Sequence, residues 1–163
     1  MVSFQMSDNL LYLKEKAVSI GNKANPPFTA ERFLVALIDW MMADESDCPM
    51  ELRVAATGLE VIVGPKNIPR ARQILLEYID QKDASFLDDL YMKKKLQEAA
   101  KCVAERNPEA PVINVTELFE RIMADPSEAI KKILCLKEQS LADVLSFSQQ
   151  TEKMIKPEDT EGT

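Results

Sequence analysis

Histidine is absent from this chain of 163 residues, which removes most of the side-chain chemistry an enzyme would use. Ser-His-Asp and Cys-His nucleophiles, the His-Glu-x-x-His zinc site and imidazole acid–base work all require it. Carboxylates, hydroxyls, thiols and amines remain. Asp88 and Asp89 are adjacent, so on a helix they point apart instead of converging on one reacting atom. Gly64-Pro65-Lys66-Asn67 has a glycine and a lysine, but neither the upstream glycine nor the Ser or Thr of a phosphate-cradling loop, and it reads as a turn. Cys48, Cys102 and Cys135 are odd in number and widely spaced, matching neither a metal pattern nor a disulfide framework. Cys102 and Cys135 fall within apolar helical patterns and read as small buried hydrophobes. The residues therefore predict a non-enzymatic chain without cofactor or metal.

Composition narrows the partners. Hydrophobic residues make up 46% and charged residues 29%, an ordinary balance for a globular protein, and the net charge is −7. Nucleic-acid binders need clustered basic surface to neutralise phosphates. The one dense basic run, Lys93-Lys94-Lys95, has acids on both sides and reads as a solvated helix face. No stretch approaches the ~18 apolar residues of a membrane span, and Met1–Asp8 lacks the charged start and apolar core of a signal peptide. The expectation is a protein-binding chain in a reducing cytoplasm, without nucleic-acid or membrane partners. Trp40, Met41 and Met42, with Met50 across an acidic loop, read either as an adaptable apolar groove or as a core helix running into an exposed end.

The elements that would carry a docking surface are almost all helical. Leu10, Leu11, Leu13, Ala17, Val18 and Ile20 give a first apolar face, with Ser7 or Asp8 as cap and Gly21 where positive φ is wanted. Thr29 caps a second helix bearing Phe33, Leu34, Leu37, Ile38 and Met41. Met50–Val63 and Ile68–Ile79 read as two more, although Leu59–Val63 also has the β-branched content of a short strand. Asn114 with Glu117 resembles a capping box. Asp125-Pro126-Ser127-Glu128 reads as an Asp cap with proline at the first helical position, followed by Ile130, Ile133, Leu134 and Leu136. Ser140 with Asp143 would cap a last helix bearing Leu141, Val144, Leu145 and Phe147. Residues 156–163 have nothing to bury and read as a disordered tail or linker.

The chain also nearly repeats itself. Leu11, Val18, Asn22 and Pro26 recur as Leu96, Val103, Asn107 and Pro111, an offset of 85 residues (96 − 11). The same offset pairs Phe28 with Ile113, Phe33 with Leu118, Leu34 with Phe119, Leu37 with Ile122 and Ile38 with Met123. Apolar class persists while the charges drift, as expected when a core fixes spacing and solvent does not. This predicts an all-α, two-repeat helical bundle with pseudo-two-fold symmetry over residues 1–155, one copy spanning 6–80 and the other 86–153.

Phe28-Thr29-Ala30-Glu31-Arg32-Phe33-Leu34-Val35-Ala36-Leu37-Ile38 resembles the repeat at the N-terminus of Clp-type AAA+ unfoldases, an apolar residue and a small or polar pair before Glu-His-Leu-Leu-x-Ala-Leu. The second copy, Ile113 to Met123, continues into Ala124-Asp125-Pro126-Ser127 much as that family's second repeat does. Arg32 and Glu117 stand where the family has histidine, Thr116 where it has the leading glutamate, and Arg121 where it has alanine. The resemblance implies a non-catalytic domain that recruits protein substrates or adaptor proteins to AAA+ ATPase modules in the same or another chain, monomeric when isolated. In some Clp relatives the leading acids and a hydroxyl near the chain start form twin pockets for phosphorylated arginine. Carried over, this puts Ser7, Glu31 and Arg32 in one site, and Thr116 and Glu117 in the other, each at a helix start that already favours anions. Read without the resemblance, Glu31 is simply a first-turn acid complementing the helix dipole. The alternative function is a free-standing helical protein serving a dedicated partner unrelated to proteolysis.

Overall fold

A computed structural model describes residues 2–21, 27–43, 48–81 and 86–138, except for the side chains of residues 86 and 87. In chain order the elements are β1 (Gln5–Met6), α1 (Asp8–Val18), α2 (Ala30–Met42), α3 (Met50–Val63), a 3-10 turn (Pro65–Asn67), α4 (Ile68–Gln81), α5 (Phe86–Arg106), β2 (Val112–Ile113), α6 (Val115–Ala124) and α7 (Glu128–Leu134). The described chain is thus helical apart from one parallel bridge, in which Gln5 pairs with Val112 and Met6 with Ile113. The sequence-predicted last helix and the tail lie outside the described residues.

Local chemistry sets the helix boundaries. Ser7 Oγ accepts from the Leu10 amide at 3.2 Å, Thr29 Oγ1 from Arg32 at 3.3 Å, and Asn114 Oδ1 from Glu117 at 2.8 Å. Each bond satisfies one of the amides that a helix start leaves without an intrahelical partner. At the end of α3, Gly64 takes φ +95°, which other residues resist, and Pro65 opens the turn into α4. The β-branched end of α3 stays helical because Leu59 and Val63 are both fully buried on one side of it, and packing outweighs propensity.

Helix α2 is the hub, packing against α1, α3 and α4, while α6 packs against α3 and α5, and α7 against α4. Every residue of α2 from Ala30 to Ile38 is buried. Close approach of α3 to α6 depends on Gly58, where a Cβ would lie 3.1 Å from Phe119 Cε1. Helices α2 and α6 have the same form at the 85-residue offset: caps Thr29 and Asn114 correspond, and Phe33, Leu34 and Leu37 are buried as Leu118, Phe119 and Ile122 are.

Four readings are corrected. Leu11 is 48% exposed whereas Leu96 is buried, because the inward face of α1 is Leu10, Leu13 and Ala17. The offset that aligns α2 with α6 is therefore one residue out between α1 and α5. Lys95 is 1% exposed, not on a solvated face, because its long stem lies inside the bundle. Cys135 is exposed and Cys102 half-buried, since both fall just outside the apolar stripes of their helices. Asp125 does not cap α7: Ser127 occupies the cap position, and the Asp125 side chain bonds Lys95 instead.

Leu34 and Phe119 are both buried in this core. Replacing either with alanine is expected to lower unfolding free energy by ~2–5 kcal/mol, as core deletions do, measured as the shift in urea midpoint at constant slope.

Candidate functional site

The helix starts singled out in the sequence form two separate polar clusters. In the first, β1 delivers Ser7 to the start of α1, held by its amide donating to the Ile113 carbonyl at 2.9 Å. Its hydroxyl then donates to Glu51 Oε1 at 2.8 Å, in the first turn of α3. Thr116 Oγ1, in the first turn of α6, donates to the Glu51 carbonyl at 3.2 Å. Ser7 and Thr116, assigned to different sites by sequence, are thus brought together around Glu51. All three are half-buried, so the cluster is open to solvent on one side.

The second cluster centres on Glu31, which is not a surface residue: its exposure is 3%. Enclosure of α2 by its neighbours puts even its first turn inside. Ser127 Oγ, at the start of α7, donates to Glu31 Oε1 at 2.7 Å. Burial pushes the Glu31 carboxyl above its ordinary value, while the Ser127 hydroxyl and its own backbone amide partly hold it down. Its influence reaches two tyrosines. Tyr78 is pushed up to about 12 by burial and by the charges of Glu31 and Asp88, and its hydroxyl donates to Asp88 Oδ1 at 3.3 Å. Tyr91 also moves up, through burial and the charges of Asp125 and Glu31, and its hydroxyl donates to the Asp125 carbonyl at 2.6 Å. Beside it, Lys95 Nζ donates to Asp125 Oδ2 at 3.1 Å and Glu98 Oε2 at 3.2 Å, and lies 5.3 Å from the centre of the Tyr91 ring.

Arg32 is also 3% exposed; its Nε donates to the Ile20 carbonyl at 3.3 Å, and its charge is felt by Glu31, Asp80 and Asp88. Glu117 pairs with Arg106 across the α5–α6 junction. Ser7 and Glu31 have different partners, so the two residues assigned to one site stand in different clusters. Of the residues read as an adaptable groove or a helix end, Met42 and Met50 are exposed and Met41 packs on the core, while Trp40 lines a cleft of about 250 Å³ with Tyr12 and Lys16 between α1 and α2. A second cleft of about 430 Å³ separates α4 from α7, with Tyr78 in its wall.

Sequence reasoning missed Glu51, Tyr78, Tyr91 and Lys95 as members of these clusters. Each sits on an ordinary amphipathic helix, and only the fold says which helix starts meet. Chemically, the arrangement offers hydroxyl donors and a carboxyl that holds its proton unusually well. Among the described residues no group of three or more His, Cys, Asp or Glu side chains is placed to hold a metal ion.

The raised Glu31 value fixes a sign. The folded state binds the proton more tightly than the unfolded one, so this group's contribution is most favourable below its ordinary 4.5 and declines as pH rises through the folded value. Glu31→Gln, which keeps an acceptor for Ser127 without the charge, is expected to be more stable than the native chain near neutral pH. Urea midpoints of the two should converge on acidification. For Lys95, the acid partners Asp125 and Glu98 retain 68% and 37% side-chain exposure and can rehydrate. Lys95→Met should therefore stay within ~1 kcal/mol of native, whereas Lys95→Ala, which empties the stem's space, should cost ~2–4 kcal/mol in the same measurement. No protein-family model, curated protein or solved structure matches this chain.

Proposed function

We propose that this chain is a non-catalytic, two-copy docking domain of the Clp N-terminal type, recruiting protein substrates or adaptor proteins to AAA+ modules. One observation carries the reading. Glu31 and Thr116 stand at the same position of α2 and α6, and each is bonded to the start of a helix from the other half: Glu31 to Ser127 at α7, Thr116 to Glu51 at α3. Crossed contacts at equivalent positions are what a pseudo-two-fold axis between two copies requires, and they supplement the shared caps and apolar register. The first copy then comprises α1 to α4, and the second starts with α5, α6 and α7.

In this reading the two helix-start clusters are the twin docking points, and they are unequal. The Glu31 cluster holds a buried carboxyl, and an incoming guanidinium would have to take the place of the Ser127 hydroxyl on it. The Thr116 cluster has Glu51 as its acid, on the half-buried side. Ligand cations should therefore favour Glu51 for access and Glu31 for strength once desolvated.

Titrating a phosphoarginine peptide into the native chain, Glu31→Gln and Glu51→Gln tests this. Binding weakened at least tenfold by one or both substitutions is the expected result; equal binding by all three, or by none, removes the docking assignment. The same preparation should hydrolyse neither ATP nor casein above a buffer blank.

A further inference from the structure

Helices α4 and α7 each carry two basic residues, and each helix pairs only one of them. On α4, Arg72 meets Asp39 at 2.6 Å; on α7, Lys131 meets Glu128 at 3.4 Å. Arg70 and Lys132 have no ion-pair partner among the described residues. Both are exposed at the rim of the same cleft, the one of about 430 Å³ between the two helices. The chain as a whole has 27 acids against 20 bases, so two unpaired cations at one opening reverse its field locally. The acid that shares this lining, Glu77, already accepts from Gln73 at 3.2 Å along its own helix.

Between the cations the cleft is apolar. Ile74 and Tyr78 follow Arg70 along α4 at steps of four, so all three share one face. On α7, Ala129 and Leu136 stand three and four residues either side of Lys132, and at 1% and 7% exposure they form the floor. Length then decides the class of occupant. From Arg70 to Gln81 the cleft follows eleven residues of α4, or ~16 Å, the span of about five residues of extended peptide. A nucleic acid needs a longer run of phosphate contacts than two cations beside Glu77 provide.

We infer that the α4–α7 cleft binds an extended acidic peptide segment of a partner protein, its carboxylates on Arg70 and Lys132 and an apolar side chain between them on Ile74, Ala129 and Leu136. Arg70 can hold a carboxylate through two parallel N–H···O bonds and so fixes the register, whereas Lys132 acts as a point charge. The inference uses no residue of the Glu31–Ser127 or Ser7–Glu51–Thr116 contacts and stands independently of the docking reading above.

Fluorescence anisotropy of a labelled peptide with Leu-Phe between two pairs of glutamates, titrated with the full chain, provides the test. The native chain should bind it, and affinity should fall at least tenfold in Arg70→Glu and in Lys132→Glu. Cys135→Trp should do the same, because its exposed position in the lining lets an indole fill the cleft from the rim. Lys101→Glu, exposed on α5 and outside the lining, makes the same charge change and should bind as the native chain does. All four positions are exposed, so urea midpoints should match the native one. No binding by the native chain at about 1 mM overturns the inference. So does binding that survives the two charge reversals or Cys135→Trp, an equal loss in Lys101→Glu, or equal affinity for a peptide flanked by lysines. A full-length dimer that Arg70→Glu makes monomeric would make a second copy the occupant, and likewise overturns it. The probe carries neither arginine nor phosphate and the variants leave Glu31 and Glu51 in place, so failure here leaves the docking proposal intact.

Discussion

Helix α2 has no water-facing side from Ala30 to Ile38, and much of the bundle follows from that enclosure. A helix packed by α1, α3 and α4 supplies the largest share of the apolar burial, with Phe33, Leu34, Val35, Leu37 and Ile38 all removed from solvent. The same enclosure imposes a constraint at its start. Glu31 and Arg32 fall in the first turn, where solvent would ordinarily solvate them, and inside the bundle each must be met by protein atoms. Ser127 meets one and the Ile20 carbonyl the other. The chain entering α7 and the chain leaving α1 are thereby tied to the hub by polar bonds whose loss would strand a buried group, a stronger positional restraint than apolar contact alone gives.

The helices were legible in the sequence because period and capping are local. Ser7, Thr29 and Asn114 act as the caps their neighbours required, and the boundary between α3 and α4 falls at Gly64-Pro65. Facing was less legible. Leu11 and Leu96 match in type, yet a one-residue difference in where each helix turns its apolar side leaves the first in water and the second inside. Lys95 shows the same limit from the polar side: three lysines in a row look like a solvated face, and nothing local distinguishes the one whose stem points inward to meet Asp125, just past the end of α6.

The candidate site was half legible for a related reason. Helix starts carry a sequence signature, so Ser7, Glu31 and Thr116 could be picked out. Which starts meet is set by tertiary geometry, over separations such as Ser7 to Glu51 or Glu31 to Ser127, and no spacing rule spans these. Glu51 had no reason to stand out in its own stretch. It acquires its place only because α3 is brought beneath the end of β1.

The small parallel bridge has a consequence for the order of assembly. Gln5 and Met6 pair with Val112 and Ile113, and just before them the Val2 amide donates to Gln97 Oε1 while Gln97 Nε2 donates back to the Val2 carbonyl. Between the two strands lie all of the first five helices. On a ribosome, β1 therefore emerges long before its mate and waits unpaired until more than a hundred further residues have been added. During that interval it is a short open edge available to the strand of a neighbouring nascent copy, and closing the long loop in its own chain is what removes the hazard.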